Sequence, residues 1–143
     1  MTELDSAHHI FRHVGGASIH DDFIDPAVFR RKKLKDGTLE PGLSVNWHEY
    51  FQKATPEETI APLCEILRKK GRTIGPTSKF ALLNVGAAKE SAAQYTSVSI
   101  VLNEQDNDPS HSLVQDYDEA LNELVAEQLQ KVIIAAYQPT PSA

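Results

Sequence analysis

Hydrophobic spacing along the chain changes period several times, and each change marks an element. His9 to Val14 and Val28 to Lys32 are short runs of β-favouring residues separated by Asp25-Pro26, and both read as strands. Asp36-Gly37 and Pro41-Gly42 bracket a turn. From Leu43 to Tyr50 the pattern alternates, with Leu43, Val45 and Trp47 on one face and Ser44, Asn46 and His48 on the other, which is a half-buried strand. Thr59 to Lys70 gathers Ile60, Leu63, Cys64, Ile66 and Leu67 on one helical face, with basic residues trailing and Gly71 available as a cap. Thr55-Pro56-Glu57-Glu58 has the form of a capping box, but a helix starting there carries Pro62 in its interior. A start near Thr59 puts that proline in the tolerant first turn and is preferred, leaving residues 55–58 as an introductory turn.

Lys79 to Val85 is a nearly continuous apolar run ended by Gly86, as expected of a central strand covered on both faces. Gln94 to Leu102 alternates again. Asp116 to Tyr137 predicts the longest helix, opened by Asp116 with Glu119 and striped by Leu121, Leu124, Val125, Leu129, Val132, Ile133 and Ala136. About five short strands and two amphipathic helices, without regular strand–helix alternation near the N-terminus, indicate an α+β domain with helices on a mixed sheet. A three-layer α/β sandwich is the runner-up. The stretch 1–8 is expected to be loose, and 138–143, with two prolines, a disordered tail.

Composition narrows the class. At 143 residues, 41% hydrophobic and 24% charged, the chain has the size and apolar content of a single domain that folds without staples. Cys64 stands alone, which excludes a disulfide framework and fits a reducing compartment. No stretch approaches the ~20 apolar residues of a membrane span, and the N-terminus lacks a basic segment followed by an apolar run, so a soluble cytoplasmic protein is expected. Charge is unevenly spread: residues 1–89 carry a balance of +2, and residues 90–143, with Lys131 alone against nine acids, carry −8. Basic residues bunch at Arg30, Arg31, Lys32, Lys33 and Lys35 and again at Arg68, Lys69, Lys70 and Arg72. Such runs attract phosphates, but a solvated face is the commoner outcome, and the acidic C-terminal part repels a long polyanion.

Six histidines prompt a search for a site. His9 and His13 have the i, i+4 spacing of zinc ligands on a helix, yet Phe11 and Val14 indicate extended chain there, and no second pair completes the set. The run from Asp106 to His111 fails as a calcium loop, because His111 falls where glycine must turn and Tyr117 where a bidentate Glu must bind. Neither a metal nor a cofactor is expected. Ser110 and His111 are adjacent, so their side chains point apart and do not form a nucleophile–base pair, but His111 on a polar loop is suited to titrate near neutrality. The segment from Gly71 to Lys79 lacks the spacing of a phosphate loop. Asn46 and His48, with Arg12 or Arg30 nearby, form a candidate polar constellation on one sheet face.

The phrase from Gly42 to Phe51, preceded by Phe29-Arg30 and followed by Asp108-Pro109-Ser110-His111, resembles a pattern in small uncharacterised bacterial proteins. The resemblance covers about a third of the chain. It implies a stand-alone bacterial cytosolic domain and carries over no catalytic residue. Two functions follow. The first is an accessory module that binds a protein partner without catalysis of its own, oriented by the charge division. The second is an enzyme acting on a phosphate-bearing substrate, RNA or nucleotide. There Arg12, Arg30 or Arg31 bind phosphate while His48 or His111 serves as general acid or base. Binding contacts fall on Arg30, Arg31, Lys32, Lys33 and Asn46. Convergence of histidine and arginine in one cleft separates the two.

Overall fold

In a computed structural model, which describes residues 2–141, six strands build one sheet, ordered from edge to edge as Ser99–Leu102, His111–Gln115, Leu43–Trp47, His9–Val14, Lys79–Asn84 and Ala135–Tyr137. They are β1 (His9–Val14), β4 (Leu43–Trp47), β5 (Lys79–Asn84), β6 (Ser99–Leu102), β7 (His111–Gln115) and β8 (Ala135–Tyr137). Every neighbouring pair is antiparallel. A separate hairpin joins β2 (Ile19–His20) to β3 (Phe23–Ile24) through Asp21 and Asp22, both at positive φ, the backbone a tight two-residue hairpin demands. Three helices complete the fold: α1 (Pro56–Lys69), α2 (Val85–Ala92) and α3 (Asn122–Lys131). The architecture is α+β as expected, with the sheet larger and wholly antiparallel instead of mixed.

Period-two alternation along the strands sorts the core onto two faces. Ile10, Val14, Leu43, Val45, Ala81 and Leu83 meet α2 and α3, while Phe11, Phe80 and Leu82 meet Ile60, Leu63, Cys64 and Leu67 of α1. Trp47 is half-buried against the first of these cores, and its indole nitrogen donates to His8 Nδ1 at 3.1 Å.

Local chemistry explains where the expected elements differ. Thr55 does cap α1, its hydroxyl accepting from the Glu58 amide, so Pro56 opens the helix and Pro62 is carried inside it. Asn84 caps α2 by accepting from the Ala87 amide, so the apolar run passes from strand into helix at Val85 and does not end at Gly86. The Asp25 carboxylate accepts from the Ala27 amide and turns Pro26–Phe29 into a short 3-10 helix where a strand was expected. Asp116 sits at φ 71, which no helix accommodates; α3 starts later, and Ala135–Tyr137 folds back to pair with β5. The N-terminal segment is tied down, not loose: the Leu102 amide donates to Thr2 and the Leu4 amide to Ile100, and Leu4 is buried. At the other end Arg68 donates to the Thr140 carbonyl, while residues 142–143 of the expected tail lie outside the described residues.

Candidate active site

β1 and β4 are neighbours at the centre of the sheet, yet they pair at only two positions, Ile10 with Trp47 and Phe11 with Asn46. Beyond that point the ladder opens. The Arg12 guanidinium bridges the opening, donating through Nη1 to the Ser44 carbonyl at 2.8 Å and through Nε to the Val28 carbonyl at 3.0 Å. A cavity of about 20 Å³ lies against this split, lined by Arg12, His13, Ser44, Asn46, Leu67, Lys70, Arg72 and His111, which is room for about one water.

Each lining group is placed by an identifiable local device. Gly71, at φ +87, ends α1 with its amide on the Arg68 carbonyl and the Arg72 amide on the Leu67 carbonyl. This paired closure satisfies the last carbonyls of the helix and leaves Lys70 and Arg72 at its end, over the split. β4 alternation turns Ser44 and Asn46 to the α1 side, and the register of Asn46 opposite His111 brings the β7 histidine to the same face. Asp108 closes the β6–β7 connection by exchanging backbone hydrogen bonds with Gln105 around Asp106-Asn107.

Buried Asp108 organises one half of the cluster. Its carboxylate accepts from Asn46 Nδ2 at 3.1 and 3.0 Å, from Ser110 Oγ at 2.9 Å and from Lys70 Nζ at 2.9 Å. Burial works against the charged form, but the donors from Lys70, Asn46 and Ser110 outweigh it and hold the carboxyl below its usual range. His111 organises the other half. Its Nδ1 lies 3.0 Å from both the backbone carbonyl and the side-chain oxygen of Asn103, and its Nε2 lies 3.1 Å from Ser44 Oγ. Burial lowers the His111 pKa, the Asn103 carbonyl opposes this, and Lys70 and Arg72 lower it further. His13 is lowered too, by burial and then by Arg72 and Arg12, and its Nε2 is buried without a hydrogen-bond partner. Both rings are therefore neutral at pH 7.

Other expected site residues lie elsewhere. His48 shares the Ser44 and Asn46 face but opens a 3-10 turn, where its buried ring meets Thr59 Oγ1 of α1 at 2.8 Å and packs edge-on to Phe11. Burial lowers its pKa, and it ties the turn to the helix, away from the cleft. The Arg30 to Lys33 run is met by acids and carbonyls of its own chain. Arg30 pairs with Glu123 and Lys33 with Glu119 at 3.2 Å, while Lys32 donates its amide to Glu40 at 2.7 Å. Arg31 is buried, stacked on the Tyr117 ring at 4.2 Å and donating to the Tyr117 and Glu40 carbonyls. Among the candidates, Arg12, Asn46 and His111 converge, and Arg30, Arg31, Lys32, Lys33 and His48 do not. Ser44, Lys70, Arg72, His13 and Asn103 complete the cleft without having been singled out as site residues. The only one-dimensional hints were the shared face of Ser44 and Asn46 and the basic end of α1.

Among the described residues no group of three His, Cys, Asp or Glu is placed to hold a metal ion, and no helix is long and apolar enough to cross a membrane. The chain matches no family model, no curated protein and no solved structure.

Proposed function

We propose that the chain is an enzyme acting on a phosphate-bearing substrate held where β1 and β4 part. The observation that carries this reading is the convergence of Arg12, Lys70 and Arg72 on two neutral histidines. Asp108 compensates Lys70, but Arg72 has no carboxylate partner among the described residues, and guanidinium groups bind phosphoryl oxygens in pairs. The unpartnered His13 Nε2 supplies a further hydrogen-bonding group to the same space. Arg72 is exposed on the loop after α1 and roofs the cavity, so a phosphoryl group enters by displacing a flexible side chain, with the sheet unmoved. His111, neutral and within reach of the cavity, has the protonation state of a general base. A nucleotide or a short RNA end suits the site better than a long polyanion, given the acidic C-terminal part. The buried free thiol of Cys64 supports a reducing, cytoplasmic setting.

Titration with inorganic phosphate at low salt, followed by the histidine ring resonances, tests the reading. The His13 and His111 signals are expected to move together, and Arg72→Ala to weaken the effect at least tenfold. Histidine signals unmoved at millimolar phosphate would reject it.

Binding of a protein partner without catalysis draws on a different place. Phe23 and Ile134 are 54% and 56% exposed beside an open groove of about 530 Å³ next to the edge strand β8. Substitution of both by Ser, read by co-purification of a partner, separates this surface from the cleft.

A further inference from the structure

We infer that Ser44 is a nucleophile, activated by His111 and oriented through Asn103, and that it takes the phosphoryl group covalently. The substrate class rests on the phosphate reading above; the relay itself rests on hydrogen-bond geometry. A backbone carbonyl can only accept, so the 3.0 Å approach of His111 Nδ1 to the Asn103 carbonyl places the proton of the neutral ring on Nδ1. Nε2 then carries the lone pair. At 3.1 Å its partner, Ser44 Oγ, must donate. This fixes one tautomer, the one in which a hydroxyl hands its proton to imidazole while a third group holds the ring from behind.

The order of positions along the chain hides this arrangement. Ser44 and His111 are 67 residues apart and meet because β4 and β7 pair in antiparallel register. Ser110, next to His111, is engaged with Asp108, so Ser44 is the hydroxyl at the ring nitrogen. Lys70 and Arg72 line the same cavity, where negative charge builds on the phosphoryl oxygens during displacement.

The reaction closes on itself. Ser44 Oγ attacks phosphorus, the Oγ–P bond forms and the bond from phosphorus to the leaving oxygen breaks. The hydroxyl proton passes to His111 Nε2 and from there to the departing oxygen. Water then attacks the phosphoserine, the Oγ–P bond breaks, and His111 takes the proton from water and returns it to Ser44 Oγ. The sum is hydrolysis of a phosphate ester, with no oxidant, reductant or metal required by the balance.

Diisopropyl fluorophosphate reports the nucleophile without knowledge of the substrate, because a serine oxygen displaces fluoride and leaves a stable phosphoryl adduct. One adduct per chain is expected, on the peptide containing Ser44, by mass spectrometry of the intact and digested protein. Ser44→Ala should abolish it and His111→Gln should slow it at least a hundredfold, with folding of both checked by thermal melting. The labelling rate should rise with pH and level off below the ordinary histidine range. Asn103→Asp, which puts a negative charge behind Nδ1, should move that midpoint upward, a shift that a purely structural role for Asn103 would not produce. An unlabelled Ser44 in protein that still binds inorganic phosphate would overturn the nucleophile and leave the phosphate site standing. Labelling of Ser44 in protein that binds no phosphate would keep the relay and overturn the substrate class.

Discussion

Two basic runs of similar density end in opposite circumstances. Arg30 to Lys33 face Glu119, Glu123 and Glu40, so the acids of the C-terminal part fold back onto the basic residues of the N-terminal part. Part of the charge division of the sequence is thus met by ion pairs on the surface of the molecule itself. Lys70 and Arg72 instead project from the end of a helix over an opening in the sheet, Lys70 paired with the buried Asp108 carboxylate, Arg72 with no carboxylate partner among the described residues, and two histidines lining the same cavity. What separates the two runs is Arg72, since Lys69 and Lys70 of the second run have carboxylate partners in Glu65 and Asp108.

The strongest way to break this contrast is to remove Asp108. Asp108→Ala leaves Lys70, whose side chain is 12% exposed, without its partner, and strips Asn46 and Ser110 of their acceptor. The expected cost is about 3–5 kcal/mol by urea unfolding, the range for a buried pair broken from one side. Acid sharpens the contrast next. His13, His48 and His111 have folded pKa values below their ordinary one, so the unfolded chain binds more protons as pH falls through about 6.5. Stability should therefore hold above that pH and decline beneath it; Asp108, depressed in the folded state, adds a second loss below about pH 4. Urea midpoints between pH 8 and 4 that stay flat through 6 would contradict the histidine environments. Gly71→Ala forces a side chain onto φ +87 and is expected to cost about 1–2 kcal/mol, while displacing Arg72 and weakening phosphate binding. The smallest effect belongs to the first run. Arg30→Ala, Lys32→Ala and Lys33→Ala together should leave phosphate binding unchanged and cost only about 0–1 kcal/mol per exposed ion pair lost, by the same titration and melts.

Much of the scaffold was legible because its signals are local. β-favouring composition located β1, alternation located β4 and the faces of Ser44 and Trp47, and the 3.6-residue stripe located α1. Where a single polar side chain decides the backbone, the apolar pattern misled: Asn84 starts a helix inside a strand-like run, and Asp25 curls a β-favouring segment into a turn. β8 hid inside a helical stripe because Ala136, four residues after Val132 and three after Ile133, continues the helical spacing past the end of α3. Half of the site was visible for the same reason, Arg12 and Asn46 being on recognised strands. Ser44 and His111 meet by strand register across 67 residues, and Arg72 reaches them through a helix cap, neither of which has a spacing to read in one dimension.

The two register positions that join β1 to β4 also divide the sheet into trios. β6-β7-β4 and β1-β5-β8 are each held by longer ladders than the junction between them, and the Arg12 bond to the Ser44 carbonyl substitutes for the missing rungs. In native-state hydrogen exchange the trios should open as separate cooperative units, with the amides beside the junction exchanging before those of β5 and β7. A phosphoryl group caught between Arg12 on one trio and Ser44 with His111 on the other would fasten them together. Occupancy of the cleft would then be written in the exchange rates of strands that never touch the ligand, the two halves opening less often in proportion to how tightly it is held.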